Sequence, residues 1–352
     1  HLSIRRQASD VYKRQDMDKA VERLNRAMGS KEKIMVYGDY DVDGTTAVAL
    51  VYKYLQNFYS NIDYFIPTRY EEGYGISSET IDDFARQGVK LVIILDCGIK
   101  ANVEIAHARE HGIDFIICDH HVPDDELPQA VAILNPKMPG STYPCPHLSG
   151  CGVGYKLMQA FSISNGIPQA DLEGMLDLVA VSIAADIVPM VDENRVMTFY
   201  GLRRLNSNPN MGLRAIIRIC GLTGKEITIS DVIFKIGPRI NASGRMQSGR
   251  EAVDLLVSRD ITDAYQKARN IDQYNKDRKE LDRRITEEAN AILSQRIEAG
   301  SNKKSIVIFN KDWHKGIIGI VASRLTELYY KPSVVLTLSN GLATGSSRSV
   351  QG

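Results

Sequence analysis

Through residues 34–134 short apolar runs take turns with segments of helical periodicity, and this alternation restricts the possible folds more than any other feature of the chain. Ile34–Gly38, Asp63–Ile66, Leu91–Leu95, Asp114–Cys118 and Val131–Leu134 read as strands. Between them Thr46–Phe58, Ser77–Gln87 and Asn102–His111 read as helices. Strands that are apolar on both faces must be covered on both faces, so the pattern predicts an α/β fold with a parallel sheet sandwiched by helices.

A stretch holding Pro136, Pro139, Pro144 and Pro146 ends the sheet pattern, and Tyr155–Ile163 and Leu172–Ala185 follow as helices. From Thr262 to Ile297 the residues Ala264, Ala268, Ile271, Tyr274, Leu281, Ile285, Ala289 and Ile292 recur at helical spacing. One long helix, broken once at most, is the simplest reading, and its densely charged polar face suits a solvated connector. Strand Ser305–Phe309, helix Gly319–Leu328 and strand Ser333–Leu338 then begin a second α/β unit. At 352 residues two domains are expected. We place a domain over 16–205, a helical connector over 206–300 and a smaller, truncated α/β domain over 301–352. Residues 1–15 are polar and aperiodic and read as a non-native scar.

Composition narrows the function. Lys+Arg and Asp+Glu both number 43, which argues against a protein that coats nucleic acid by charge alone. Five cysteines with no C-x-x-C pair suggest reduced thiols and a cytoplasmic protein. Cys145, His147 and Cys151 lack the second ligand pair of a zinc site. No apolar run is long enough to span a membrane, and no signal peptide is evident.

Three clusters carry the chemistry, each directly after an expected strand. Asp39, Asp41 and Asp43 follow the first, Asp96 follows Leu91–Leu95, and Asp119, His120 and His121 follow Asp114–Cys118. In a parallel sheet these positions share the carboxyl edge, where ligands bind. Gly44 permits a tight turn, Thr45 or Thr46 can cap the next helix, and that helix would aim free N–H groups at the rim, as suits a phosphate. So many carboxylates repel one another unless cations neutralise them. A mixed Asp/His set suits Mn²⁺, with Mg²⁺ also possible, better than Ca²⁺. The run from Asp39 to Gly44 also matches the start of an EF-hand loop. That loop needs Glu where this chain has Leu50, and a preceding helix instead of a strand.

Gly38-Asp-Tyr-Asp-Val-Asp-Gly44, Leu95-Asp-Cys-Gly98 and Asp119-His-His121 resemble the first three motifs of the DHH phosphoesterase family, and Ala185-Asp186-Ile-Val-Pro189 resembles the fourth. Pro67-Thr-Arg69, Glu72-Gly-Tyr-Gly75, Gly152-Val-Gly-Tyr155 and Gly237-Pro-Arg-Ile-Asn-Ala-Ser-Gly-Arg245 are similar to its RecJ branch. Trp313-His-Lys-Gly316, Ala322-Ser-Arg324 and Gly345-Ser-Ser-Arg-Ser349 resemble the DHH-associated domain, the last its substrate-phosphate loop. The resemblance covers 16–352 and implies two domains joined by a long helix.

It further implies that Asp41, Asp43, Asp96, His120, His121 and Asp186 ligate two divalent metal ions, with Asp119, His120 and His121 central to catalysis. Asp39 and Asp119 would orient ligands. Arg69, Ser346 and Arg348 become candidates for the terminal 5′-phosphate, with Arg239 and His314 nearer the scissile or following phosphates. The Gly/Ser setting of Arg348 would leave backbone N–H groups free for phosphate. Two departures stand out: Tyr37 occupies a position where some DHH enzymes carry histidine, and the OB-type domain usual in bacterial RecJ proteins is absent. The implied activity is 5′→3′ hydrolysis of single-stranded DNA to 5′-mononucleotides in DNA repair and recombination. A single-stranded-DNA-binding protein and a helicase are candidate partners, with no membrane role. The alternatives are a DHH-family oligoribonuclease or nucleotide phosphatase, a soluble pyrophosphatase, and a non-catalytic replication scaffold.

Overall fold

Strands β1 (Lys33–Gly38), β2 (Ile62–Phe65), β3 (Val89–Leu95), β4 (Asp114–Cys118) and β5 (Ala132–Leu134) form one sheet in the order β2-β1-β3-β4-β5, every neighbouring pair parallel. This is a computed structural model, and it describes residues 16–68, 75–298 and 303–350. The presumed scar over 1–15 lies outside the described residues.

Helices cover both faces, as doubly apolar strands require. On one side α3 (Ser78–Arg86) and α4 (Asn102–Glu110) bury Ile81, Phe84, Ile105 and Ala108 against Met35, Tyr37, Val92, Ile94, Phe115 and Ile117. On the other, α1 (Met17–Gly29) and α2 (Val42–Leu55) pack with α5 (Gly150–Ser164). Helix α2 starts four residues before the expected Thr46, because the Asp41 side chain caps it by accepting from Gly44 N at 3.0 Å.

Helix α5 likewise starts at Gly150, before the expected Tyr155, with Ser149 as its cap. Its opening residues Gly-Cys-Gly-Val-Gly are poor helix formers by themselves. Close packing selects them: a Cβ on Gly154 would meet Leu95 Cδ2 at 3.1 Å and Val51 Cγ2 at 3.2 Å. The helix expected over Leu172–Ala185 is two, α6 (Ala170–Glu173) and α7 (Leu176–Ala185), interrupted at Gly174-Met175. Then follow α8 (Asp192–Ser207), α9 (Met211–Ile219), a single turn α10 (Ile229–Asp231), a π-helical turn Val232–Ile236, α11 (Gly237–Met246) and α12 (Arg250–Leu256).

Helix α13 (Ile261–Glu298) runs unbroken for 38 residues. Ala264, Ala268, Ile271, Ile285 and Ala289 are buried on it, as the periodicity requires. The chain divides into two compact units inside this helix. The first runs to Gly244 and resumes over Ser248–Ile271, and the second holds Arg245–Gln247 and everything from Asp272 onward. Helices α9 to α12 thus fall almost wholly in the first unit, within what was read as connector.

In the second unit, strands β6 (Ile306–Phe309), β7 (Ser333–Ser339) and β8 (Leu342–Arg348) form a sheet, β6 parallel and β8 antiparallel to β7. Helix α14 (Lys315–Tyr329) contributes Ile317, Val321 and Leu325 to a core shared with Trp313, Ile308, Val335 and the Ile285–Leu293 face of α13. Among the described residues no helix is long and apolar enough to cross a membrane.

Candidate metal centre

Parallel strands end on the same side, so β1, β3 and β4 deliver their trailing residues to one rim. Asp39 and Asp41 come from β1, Asp96 from β3, and Asp119, His120 and His121 from β4. Asp43 sits in the first turn of α2, and Asp186 arrives from the other layer as the residue ending α7. Three overlapping sets result, Asp39–Asp41–Asp96, Asp96–His120–His121 and Asp43–His120–Asp186. In each, one donor atom per residue lies within 4.8 Å of the others. His120 Nε2 is at the middle, 3.1 Å from Asp96 Oδ1, 3.6 Å from Asp186 Oδ2 and 3.7 Å from Asp43 Oδ2.

The surrounding backbone fixes these groups. Gly44 lies so near Asp39 that a Cβ there would fall 2.4 Å from the Asp39 carbonyl oxygen. Asp43 accepts from Gly150 N at 2.6 Å, Cys151 N at 2.7 Å and Ser182 Oγ at 2.7 Å. Asp119 Oδ1 accepts from the backbone N–H groups of His120 and His121 and lies 2.8 Å from His121 Nδ1, while its Oδ2 accepts from Ile99 N at 3.0 Å. With Nδ1 held in that way, Nε2 is the ring nitrogen His121 can turn towards an ion. Asp96 (φ 61°) and Ile187 (φ 57°) both adopt left-handed backbone. For a β-branched residue such as Ile187 that is strained, and it sits directly after Asp186.

Electrostatically the rim is dominated by its carboxylates. Burial, and then repulsion from Asp43, Asp41, Asp119 and Asp39, pushes the Asp96 carboxyl well above its usual range. Burial and then Asp43 raise Asp41. Burial, Asp43 and Asp41 push Asp186 up to about 7. Asp119 moves down: burial opposes its ionisation, but the His121 ring and the N–H groups of His121 and Ile99 outweigh that. The His121 imidazole is raised by its bond to Asp119, whereas burial lowers His120 even though Asp43 faces it. Among the described residues buried His120 Nδ1 has no hydrogen-bond partner, and buried Asp96 Oδ1 has none beyond its 3.1 Å approach to His120 Nε2. Carboxylates driven towards protonation and orphaned buried donor atoms fit a site whose missing charges are cations.

The EF-hand alternative does not fit, since a strand and not a helix precedes Asp39. Cys145, His147 and Cys151 form no metal-binding group among the described residues. Tyr37 is a core residue: its ring stacks 5.8 Å from Phe65, and its OH donates to the Gly75 carbonyl at 2.7 Å. Beside Asp119 and His121 opens a cavity of about 220 Å³ walled by Ile76, Ile99, Lys100, Ala101 and Glu104.

Acidic and histidine side chains on three adjacent strand ends reproduce the motif order read from the sequence, and residues 33–183 match the DHH family, N-terminal domain. That segment is a DHH domain. It is 39% identical over 345 residues to the single-stranded-DNA-specific exonuclease RecJ of Bacillus subtilis, covering 97% of this chain and 43% of that one. To the RecJ of Escherichia coli K12 it is 35% identical over 350 residues, covering 96% of this chain and 60% of that one. A crystal structure of exonuclease RecJ bound to manganese superposes with a TM-score of 0.84 at 29% identity, covering 96% of this chain and 83% of that one. The chain therefore spans about half the length of the curated relatives it matches.

The substrate candidates outside the DHH motifs fall in both units. Arg69 lies outside the described residues. In the first unit, Arg239 is on α11 with Nη1 donating to the Lys235 carbonyl at 2.8 Å. In the second unit His314 precedes α14, and burial lowers its imidazole. Ser346 and Arg348 meet on β8, Arg348 Nη1 lying 3.1 Å from Ser346 Oγ, next to Gly319. The segment is a strand instead of the expected loop, because Ser346 pairs with Val335 and Arg348 with Ser333 in an antiparallel ladder, while β8, at the sheet edge, turns alternate N–H groups away from β7. The physical reason is the two-residue turn Asn340-Gly341, both at positive φ (52° and 76°), which makes a β-hairpin.

Several contributors escaped sequence reasoning. Gly150 and Cys151 donate their N–H groups to Asp43, and Ser182 holds Asp43 while lying 2.6 Å from Ser149 Oγ. Asn241 accepts from Val42 N at 3.1 Å and so supports the start of α2. Only Asn241 sits in a motif that the resemblance singled out.

Proposed function

We propose that this chain is the catalytic part of a metal-dependent exonuclease that hydrolyses single-stranded DNA from its 5′ end to 5′-mononucleotides. The observation that carries the reading is the convergence of Asp41, Asp43, Asp96, His120, His121 and Asp186 on one rim, with His120 Nε2 between three carboxylates. We assign these six residues as ligands of two divalent ions, Mn²⁺ by preference and Mg²⁺ as a substitute. The overlapping donor sets share Asp96 and His120, which suits two adjacent ions.

When bound, such ions supply Lewis acidity towards the phosphoryl oxygens and lower the pKa of an attacking water. The chain's own groups do the rest. Asp119 holds His121 by Nδ1 and so fixes the orientation of that ring. Gly150, Cys151 and Ser182 hold the Asp43 side chain in place. Asp39 can join either role, since its donor atom groups with Asp41 and Asp96. Arg69, Ser346 and Arg348 remain our candidates for the terminal 5′-phosphate, and Arg239 and His314 for the phosphates that follow. Arginine suits this work because its planar fork takes two phosphate oxygens. We retain the division into a DHH domain, a helical connector and a DHH-associated domain as the functional plan. A single-stranded-DNA-binding protein and a helicase are the proposed partners, in the cytoplasm.

The test is digestion of 5′- and 3′-labelled single-stranded oligonucleotides with Mn²⁺, beside an Asp119→Ala/His120→Ala variant. Mononucleotides released from the 5′ end by the parent alone, and suppressed by chelation, support the reading. Cleavage confined to di- to tetranucleotides would transfer the chain to the oligoribonuclease class. An absence of cleavage at every length would favour the scaffold.

A further inference from the structure

Away from the acidic rim motifs, three more metal-binding side chains converge on α3 and α4. His107 and His111 are four residues apart, so they share one face of the last turns of α4. Asp82 reaches them from α3, which packs against α4. Its Oδ1 lies 2.8 Å from His107 Nε2 and 3.4 Å from His111 Nε2, and the two rings stand edge to face with centroids 4.8 Å apart. One donor atom from each residue falls within 4.8 Å of the other two.

We propose that Asp82, His107 and His111 form a binding site for Zn²⁺ or a cation of similar borderline softness, independent of the DHH centre and of the nuclease reading. Tetrahedral zinc with bonds near 2.0–2.2 Å keeps neighbouring donors roughly 3.4 Å apart. Asp82 and His111 already have that spacing, and His107 needs to withdraw by roughly half an ångström. Both imidazoles present Nε2 to the shared carboxylate. On the far side of the ring, His107 Nδ1 lies 4.0 Å from Glu110 Oε2, beyond hydrogen-bond length, so that exposed carboxylate must close in to accept its N–H. The site has the open fourth position of a three-ligand zinc centre, and its side chains are 30–44% exposed, so an ion can enter from solvent. The Asp82 carboxyl is held below the usual carboxylate range, first by its hydrogen bond with His107.

Two imidazoles and one carboxylate discriminate against Mg²⁺ and bind Mn²⁺ less well than Zn²⁺, so the two sites of this chain would sort different metals. A bound ion would staple α3 to α4. The segment leading into α4 touches the catalytic rim, where Ile99 N donates to Asp119, and the one leading into α3 is tied to the core, where the Gly75 carbonyl accepts from Tyr37.

The experiment titrates Zn²⁺ calorimetrically into the full chain carrying Asp96→Ala and His120→Ala, which removes the DHH centre. A second titration uses the same chain with His111→Ala added. One equivalent of Zn²⁺ bound in the first, weakened at least about tenfold in the second and unmatched by Mg²⁺, is the expected result. Equal Zn²⁺ binding with and without His111, or no binding to the first chain, would overturn the proposal. Should the background substitutions disturb folding, anomalous scattering at the zinc edge from crystals of the unaltered chain decides. A peak between Asp82, His107 and His111 sustains the site, and zinc found only at the DHH centre refutes it.

Discussion

Asp119 is the residue whose role is most sharply drawn by its contacts. It is completely buried and spends both oxygens on His120, His121 and Ile99, leaving little capacity to bind an ion directly. Its work is to orient His121. Asp119→Asn keeps the shape but replaces one accepting oxygen with an amide that cannot accept the Nδ1 proton. We expect Mn²⁺ affinity to fall about 10- to 100-fold, with the melting temperature little changed once metal is saturating. Calorimetric Mn²⁺ titration of the parent and the variant checks this, and unchanged affinity would assign Asp119 a purely structural place.

At the element scale, the helix α5 start is the least forgiving joint. Gly150 lies where a Cβ would approach Asp96 Cβ at 2.6 Å and Asp96 Oδ1 at 2.7 Å, so alanine there must displace a member of the rim. Gly152, two residues on, would place its Cβ 3.4 Å from Ser149 Oγ, an ordinary contact. Gly150→Ala should therefore cost about 1–3 kcal/mol of unfolding free energy. Because the displaced group belongs to the reacting site, it should also lower turnover on the order of 100-fold. Gly152→Ala should retain both within a few-fold. Urea unfolding and single-turnover cleavage of the pair measure the two effects, and equal behaviour of the variants would show that Asp96 tolerates movement.

At the scale of the molecule, the charge of the rim couples stability to pH and metal. Asp186 has its carboxyl raised from an ordinary 3.8 to about 7, by burial first and then by Asp43 and Asp41, and Asp96 and Asp41 shift in the same direction. Between those two values the folded chain holds protons that the unfolded chain has released, so raising pH through that window destabilises the metal-free protein. The penalty is absent below the unfolded pKa and complete above the folded one. Melting temperatures of chelator-treated protein should fall from about pH 5 to about pH 8, while the stabilisation given by Mn²⁺ grows over the same range. In an Asp186→Asn variant the metal-free slope should be shallower. A metal-free melting temperature that rises across this range would contradict the electrostatic account.

The sequence alone determined the parallel sheet, the long helix α13 and the positions of the rim residues. Each rests on a local signal: apolar runs of strand length, a 3.6-residue period, or an acidic cluster directly after a strand. Strand-length runs followed at once by acidic or histidine residues put Asp41, Asp96 and His120 on one edge. Where the outcome depended on contacts between distant segments, local reading failed. Propensity disfavours Gly150–Gly154 as a helix, yet the proximity of Asp96, Leu95 and Val51 demands side-chain-free residues there. Ser182 and Cys151 carry no motif, and only folding brings them to Asp43. The hairpin at Asn340-Gly341 was written in the sequence, but the Gly/Ser run after it masked a strand that pairing with β7 secures. The pairing of His107 with Asp82 likewise belongs to tertiary structure, because only the packing of α3 against α4 brings a helical histidine pair to a carboxylate. Local periodicity sets which residues share a face, and the close packing of layers decides which faces meet.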